Sequence, residues 1–160
     1  MSQTRFINPK ALRRPPGYTH VVEVTAPARI VYIAGQLGVD RDDKVVGDFR
    51  RQAVQTFENL KTALAAVGAQ FRHVVKLNNY LVDRAHLPTF REVRDSYLAE
   101  NDRPASTTIA ISGLAREGAL IEIEAVAVLP AAARAKAASK SASKARSARP
   151  ARRPAPSTRR

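Results

Sequence analysis

"FRRQAVQTFENLKTALAAVG", residues 49–68, is where the chain changes its period. Ala53, Phe57, Leu60 and Leu64 recur at three- or four-residue spacing, which is one apolar stripe on a helix, and Gly68 ends it. On both sides of this segment the apolar residues fall into short groups instead. Upstream, "HVVEVT" (20–25) and "IVYIAG" (30–35) read as two strands around the turn "APAR", with a short strand at "RFINP" before them. Between strand and helix, "QLGVDRDDKVVGD" is a loop rich in Asp and Gly. Downstream, "HVVKLNNYLVD" (73–83) reads as a strand and "LPTFREVRDSYLAEN" (87–101) as a second helix, with Pro88 near its start and Phe90, Val93 and Tyr97 on one side. "STTIAIS" (106–112) and "ALIEIEAVAV" (119–128) close the series as strands, joined by a loop that holds Gly113 and Gly118.

Two helices cannot cover both faces of a sheet of five or six strands. The expected fold is therefore α+β in two layers, a mixed sheet with both helices on one face. Both parities of the strands carry Val, Ile or Ala, so the other face is apolar as well. An uncovered apolar face predicts a partner, and symmetry favours a closed homo-oligomer.

The 160 residues suffice for one domain of ordinary size, and that domain is expected over residues 1–130. The formal net charge of +13 is concentrated beyond it. Residues 131–160 hold 10 of the 27 Lys and Arg and none of the 14 Asp and Glu, and are otherwise almost wholly Ala, Ser and Pro. Such a segment cannot bury enough surface to offset its ordering entropy, so a disordered basic tail is expected. Ten cations without acids or aromatics suit phosphate neutralisation, not base reading, which predicts salt-sensitive binding of nucleic acid or another polyanion, with a merely solvated extension as the alternative. The chain has no cysteine, which excludes disulfides, thiolate catalysis and Cys-ligated metal. No apolar run reaches the roughly 20 residues a membrane span needs, and "MSQTRFINPK" lacks the apolar core of a secretory signal, so a cytoplasmic location is expected.

No P-loop, dinucleotide fingerprint, nucleophile elbow or metal-ligand spacing is present, and His20, His73 and His86 are scattered. Three places invite chemistry. In "LIEIEAVAV" (120–128), Glu122 and Glu124 share one face of a strand. Either that face is wetted, or one carboxylate reaches a cleft and serves there as a general base; the residues alone do not separate the two glutamates. In "DRPASTTI" (102–109), Ser106, Thr107 and Thr108 open a strand after a proline, for strand-end hydrogen bonding or for a small anion or carbonyl pocket. Gly35 and Gly38 in "IAGQLG" fit a plain turn or a close backbone approach to a ligand. Tyr18, following Pro15, Pro16 and Gly17, packs on the core or lines a pocket. Arg91 and Arg94 on the second helix read as solvated cations, with a carboxylate clamp as the alternative.

Taken in order, "GYTH", "YIAGQLGVD", "QAVQTFENLKTALAAVGA", "VVKLNNYLVDRAHLPTFREVRDSYL", "RPAST" and "LIEIEAVAV" resemble the reactive intermediate deaminase A family (RidA or YjgF, also called endoribonuclease L-PSP) across about residues 15–128. The resemblance implies a chorismate-mutase-like fold and a homotrimer whose ligand clefts open between subunits. Active members hydrolyse small enamines and imines to 2-oxo acids and ammonia, with no metal or organic cofactor. The same resemblance assigns Glu122 as the catalytic glutamate that positions water, and Tyr18, Gly35, Ser106, Thr107 and Arg91 as substrate-binding. It also exposes departures. The active motif Pro-Ala-Arg-Ser becomes Pro104-Ala105-Ser106, so a hydroxyl stands where the carboxylate-binding arginine belongs; Ala34 replaces a serine, and Arg91 an asparagine. Altered substrate preference is the expectation, with a non-catalytic ligand-binding trimer as the alternative. The ribonuclease label finds no acid–base pair of defined geometry.

Overall fold

The computed structural model describes residues 3–25 and 28–131. Its strands are β1 (Gln3–Ile7), β2 (Val21–Thr25), β3 (Ala28–Leu37), β4 (Val74–Leu81), β5 (Ala105–Ala110) and β6 (Ile121–Pro130); its helices are α1 (Phe49–Ala65) and α2 (Leu87–Tyr97). The basic tail expected at 131–160 falls, apart from Ala131, outside the described residues.

The strands divide where a single sheet was expected. β3, β6, β4 and β5 lie side by side in that order, antiparallel except for the parallel pair β4–β5, while β1 and β2 form a separate antiparallel pair. Among the described residues β2 therefore pairs backwards with β1, where Arg5 donates to Glu23 at 2.7 Å, and is not registered with β3. β3 spans ten residues and is taken up along its length by the equally long β6. Parallel neighbours need a long crossover, and α2 supplies it between β4 and β5.

Helix α1 starts at Asp48, whose carboxylate accepts from the Arg51 N–H at 2.9 Å. Its stripe Ala53, Phe57, Leu60 and Leu64 is buried as its spacing predicts, against Leu77, Leu81, Ile121 and Ile123 of the sheet and Phe90 of α2. Tyr97 closes the layer, stacked on Phe57 with ring centroids 4.9 Å apart and its hydroxyl donating to Glu58 at 2.9 Å. Burial, reinforced by that carboxylate, pushes the Tyr97 phenol up to about 12. Helix α2 stops at Tyr97, four residues before the expected end, because Leu98 turns extended and enters the core. The chain then reverses through Asp102, at φ +56°, into β5.

Strand register fixes the two faces. Leu77, Leu81, Ile121 and Ile123 face the helices; the intervening Asn78, Tyr80, Glu122 and Glu124 face away. On that helix-free side Tyr32 is 78% exposed, Ile30 55% and Ile109 48%. The apolar face expected from both strand parities is there, and nothing among the described residues covers these side chains.

Candidate functional site

A bulge places the first group of residues. Between Ile33 and Gln36, β3 has one residue more than β6 opposite it, which kinks the strand at Ala34–Gly35. The Gln36 side-chain amide donates to the Ala34 carbonyl at 3.1 Å and holds the kink from one side. The Glu122 side chain lies over the bulge: a Cβ built on Gly35 would overlap its carboxylate. Gly35 is thus required for room, and what approaches its backbone here is Glu122 itself.

The two glutamates, alike in sequence, separate at once. Oε1 of Glu124 accepts from Asn78 Nδ2 at 2.7 Å and from the Tyr80 hydroxyl at 2.9 Å. That hydrogen bond, with Tyr80's partial burial and the charges of Glu124 and Glu122, pushes the Tyr80 phenol above its ordinary value, so it remains a donor. Among the described residues the Glu122 carboxylate has no hydrogen-bond or ion-pair partner. A half-buried carboxylate with four vacant lone-pair positions is equipped to hold a water.

The second group lies on the other side of the sheet. A cleft of about 390 Å³ opens between β5, α2 and the loop before β2, and it brings together Tyr18, Arg91, Ser106 and Thr107. Ser106 pairs with Leu77 and so points to the helix side. Thr107 only borders the cleft, since its hydroxyl is turned to the other face and accepts from Lys76 Nζ at 2.7 Å. Ser106 and Thr108 are held by Asn79, whose Nδ2 donates to their hydroxyl oxygens at 2.9 and 3.2 Å and to the Thr107 carbonyl at 2.8 Å. The carbonyl fixes which way the amide points. Asn79 is 1% exposed and was not among the expected site residues; a polar residue at a core position of "LNNYL" was the readable signal.

Arg94 corrects the expectation of a solvated cation. It is 5% exposed, Nη2 lies 2.8 Å from Asp95 Oδ1, and its guanidinium sits 5.7 Å from the centre of the Phe90 ring. Burial lowers its pKa and Asp95 opposes the shift, and an arginine stays charged regardless. Arg91, one turn earlier, is exposed as expected. The turn Pro15-Pro16-Gly17 closes over Arg94: Gly17 has φ +93°, and a Cβ there would overlap the guanidinium. Tyr18 follows, braced edge-on by His20, whose Nε2 bonds the Arg13 carbonyl at 2.9 Å. Tyr18 lines the cleft, the second of the two roles open to it.

The remaining histidines do ordinary structural work. His73 Nδ1 accepts from the Gln70 N–H at 3.0 Å, and His86 stacks on Phe49 at 4.0 Å. Among the described residues no three His, Cys, Asp or Glu side chains are placed to hold a metal ion, and no helix is long and apolar enough to cross a membrane.

One chain therefore does not unite its candidate residues. Tyr18, Arg91 and Ser106 serve the helix-side cleft, whereas Glu122 and Gly35 sit on the helix-free side.

The comparisons with known proteins agree with this architecture. The chain is 36% identical over 113 residues to Protein DfrA of Myxococcus xanthus, covering 69% of this chain and 84% of that protein. It is 30% identical over 132 residues to a 2-iminobutanoate/2-iminopropanoate deaminase of Dermatophagoides farinae, covering 81% and 99%. Among solved structures, a protein of the conserved Rid family, YyfB of Yersinia pestis, superposes with a TM-score of 0.72 at 34% identity, over 79% of this chain and 98% of that one. Residues 10–129 match the family model described as Endoribonuclease L-PSP. Bulge, mixed sheet and two-helix layer thus have their setting: the chain belongs to the endoribonuclease L-PSP family, the RidA/YjgF proteins.

Proposed function

We propose that this protein is a homotrimeric hydrolase of small, reactive enamines or imines, with a substrate preference different from that of the 2-imino acid deaminases. The carrying observation is the contrast at β6, where Glu124 is tied to Asn78 and Tyr80 while the Glu122 carboxylate stays unpartnered over Gly35. The division of the residues between two faces supports assembly: a ligand in the cleft of one protomer meets Glu122 only if a second protomer brings it. The exposed Tyr32, Ile30 and Ile109 give the helix-free faces a reason to associate.

In this reading Glu122 holds a water against the imine carbon, taking a proton as the C–O bond forms. The resulting carbinolamine expels ammonia as the carbonyl forms, so that an imine and water yield a ketone or aldehyde and ammonia. The cleft with Tyr18, Ser106, Thr107 and Arg91 holds the rest of the molecule. Ser106 stands where a carboxylate-binding arginine would stand, which disfavours simple 2-imino acids.

Purified full-length protein is expected to release ammonia from freshly generated enamines faster than buffer does, and to sediment as a trimer. A monomer, or rates equal to buffer across 2-iminopropanoate, 2-iminobutanoate and neutral enamines, overturns the reading; ligand-induced stabilisation without turnover would instead make the protein a binding module.

The basic segment 131–160 carries a separate proposal, sequence-independent polyanion binding. Three copies on one trimer add avidity. With each phosphate contact contributing a salt slope of about −0.9 on duplex DNA, retention by full-length protein is expected to fall at least tenfold between 50 and 200 mM salt. Equal filter retention of DNA by full-length protein and by residues 1–130 rejects the tail's role.

A further inference from the structure

The cleft between α2 and β5 contains donors almost exclusively. Arg13, Arg84, Arg91 and Arg94 line it, and no aspartate or glutamate does. Every Asp and Glu side chain of the protein lies among the described residues. None pairs with Arg13, Arg84 or Arg91. Asp95, which lines the adjoining cavity with Glu100 and Asp102, is shared between two guanidinium groups, those of Arg94 and Arg103. With one carboxylate between two guanidinium groups, Arg94 is incompletely neutralised, beneath the three exposed cations at the mouth.

The neutral groups point the same way. Asn79 Nδ2 gives one proton to the Thr107 carbonyl and shares the other between Oγ of Ser106 and Oγ1 of Thr108, which as acceptors keep their own hydroxyl protons to donate elsewhere. The Tyr18 oxygen accepts, at a long 3.4 Å, from Arg13, so its proton is free too. A site with guanidinium and hydroxyl donors and no anionic acceptor wants a ligand rich in acceptor oxygens. Leu81 and Leu87 add a short apolar wall, and about 390 Å³ is at the small end of ligand cavities. A monoanion would leave most of the positive charge unmatched.

We propose that this cleft binds a small molecule bearing a dianionic head group, a phosphate monoester or a dicarboxylate, anchored by Arg91, Arg84 and Arg94 of the α2 region and not by β5. The inference rests on the cleft being the half-site that holds the substrate, and it names the class of that substrate. Asn79 is a positioning residue in it: it sets the hydroxyl rotors of Ser106 and Thr108 toward the anion.

Calorimetric titration of full-length protein at fixed ionic strength tests it, with inorganic phosphate, succinate and acetate as the probes. At least one dianion is expected to bind ten times or more tightly than acetate; preference for phosphate identifies a phosphate ester, preference for succinate a dicarboxylate. Arg84→Ala with Arg91→Ala, both at exposed positions, is expected to weaken the dianion at least tenfold and acetate far less. The tail is identical in parent and variant, so its own anion binding cancels. Equal affinity for acetate and both dianions, or a double variant that binds like the parent, overturns the proposal. Glu122→Gln separates it from the hydrolytic reading: dianion binding should persist there, undiminished by loss of the carboxylate, and selectivity without turnover in the parent would remove the chemistry and keep the site.

Discussion

Glu122→Gln is expected to lower turnover of an enamine or imine substrate by about 100-fold or more, the usual contribution of a positioned general base, with KM changed little. The amide keeps the size of the carboxylate and can still hold water, but it cannot take the proton as the C–O bond forms. Glu124→Gln is the control, since its carboxylate is committed to Asn78 and Tyr80 and should cost stability before it costs rate. Gly35→Ala approaches Glu122 from the other direction. Its methyl group would occupy the space of that carboxylate, so the glutamate must swing off the bulge. Turnover should fall by a similar factor without any change at position 122. Initial rates of ammonia release, measured on variants that still assemble, decide the matter; a Glu122→Gln enzyme as fast as the parent removes the carboxylate from the mechanism.

Ser106→Arg combined with Arg91→Asn is expected to raise kcat/KM for 2-iminopropanoate by about 100-fold. Position 106 points into the cleft beside Leu77, and a guanidinium there meets a substrate carboxylate with charge-assisted hydrogen bonds of about 1.5–3 kcal/mol each. Two powers of ten correspond to about 2.8 kcal/mol, within reach of one bidentate contact. Ser106→Arg alone should gain less, because Arg91 and Arg94 already line the same space and like charges repel. Rates on 2-iminopropanoate that stay at the parent's level would show that the identity of residue 106 does not set the preference.

Much of this molecule is visible in local pattern. The stripe Ala53, Phe57, Leu60 and Leu64 is buried as its period requires, because a helix has one apolar side and must cover it. The alternation Ile121, Glu122, Ile123, Glu124 places two isoleucines at 0% exposure and two carboxylates opposite, since side chains in a strand leave on alternate faces. The shortage of helices foretold an uncovered face, and Tyr32 at 78% exposure marks it. Properties with a period of two or 3.6 residues, or with a plain surplus of apolar area, can be read along the chain.

Pairing and partnership cannot, because they depend on which distant residue arrives. Nothing in "HVVEVT" says that β2 turns back to β1 and leaves β3 to β6. Glu122 and Glu124 are the same residue in the same strand until Asn78 and Tyr80, more than forty positions away, claim one of them. Arg94 and Arg91 stand one helical turn apart with the same charge, yet only the fold buries one under Gly17 and beside Asp95 and leaves the other at the cleft mouth. The layers and the residue types available for chemistry are legible along the chain, because both follow from near-neighbour spacing. Which carboxylate is free, which arginine is buried and which hydroxyls share a cleft emerge on folding, because hydrogen bonds and desolvation act between residues that the chain keeps far apart until then.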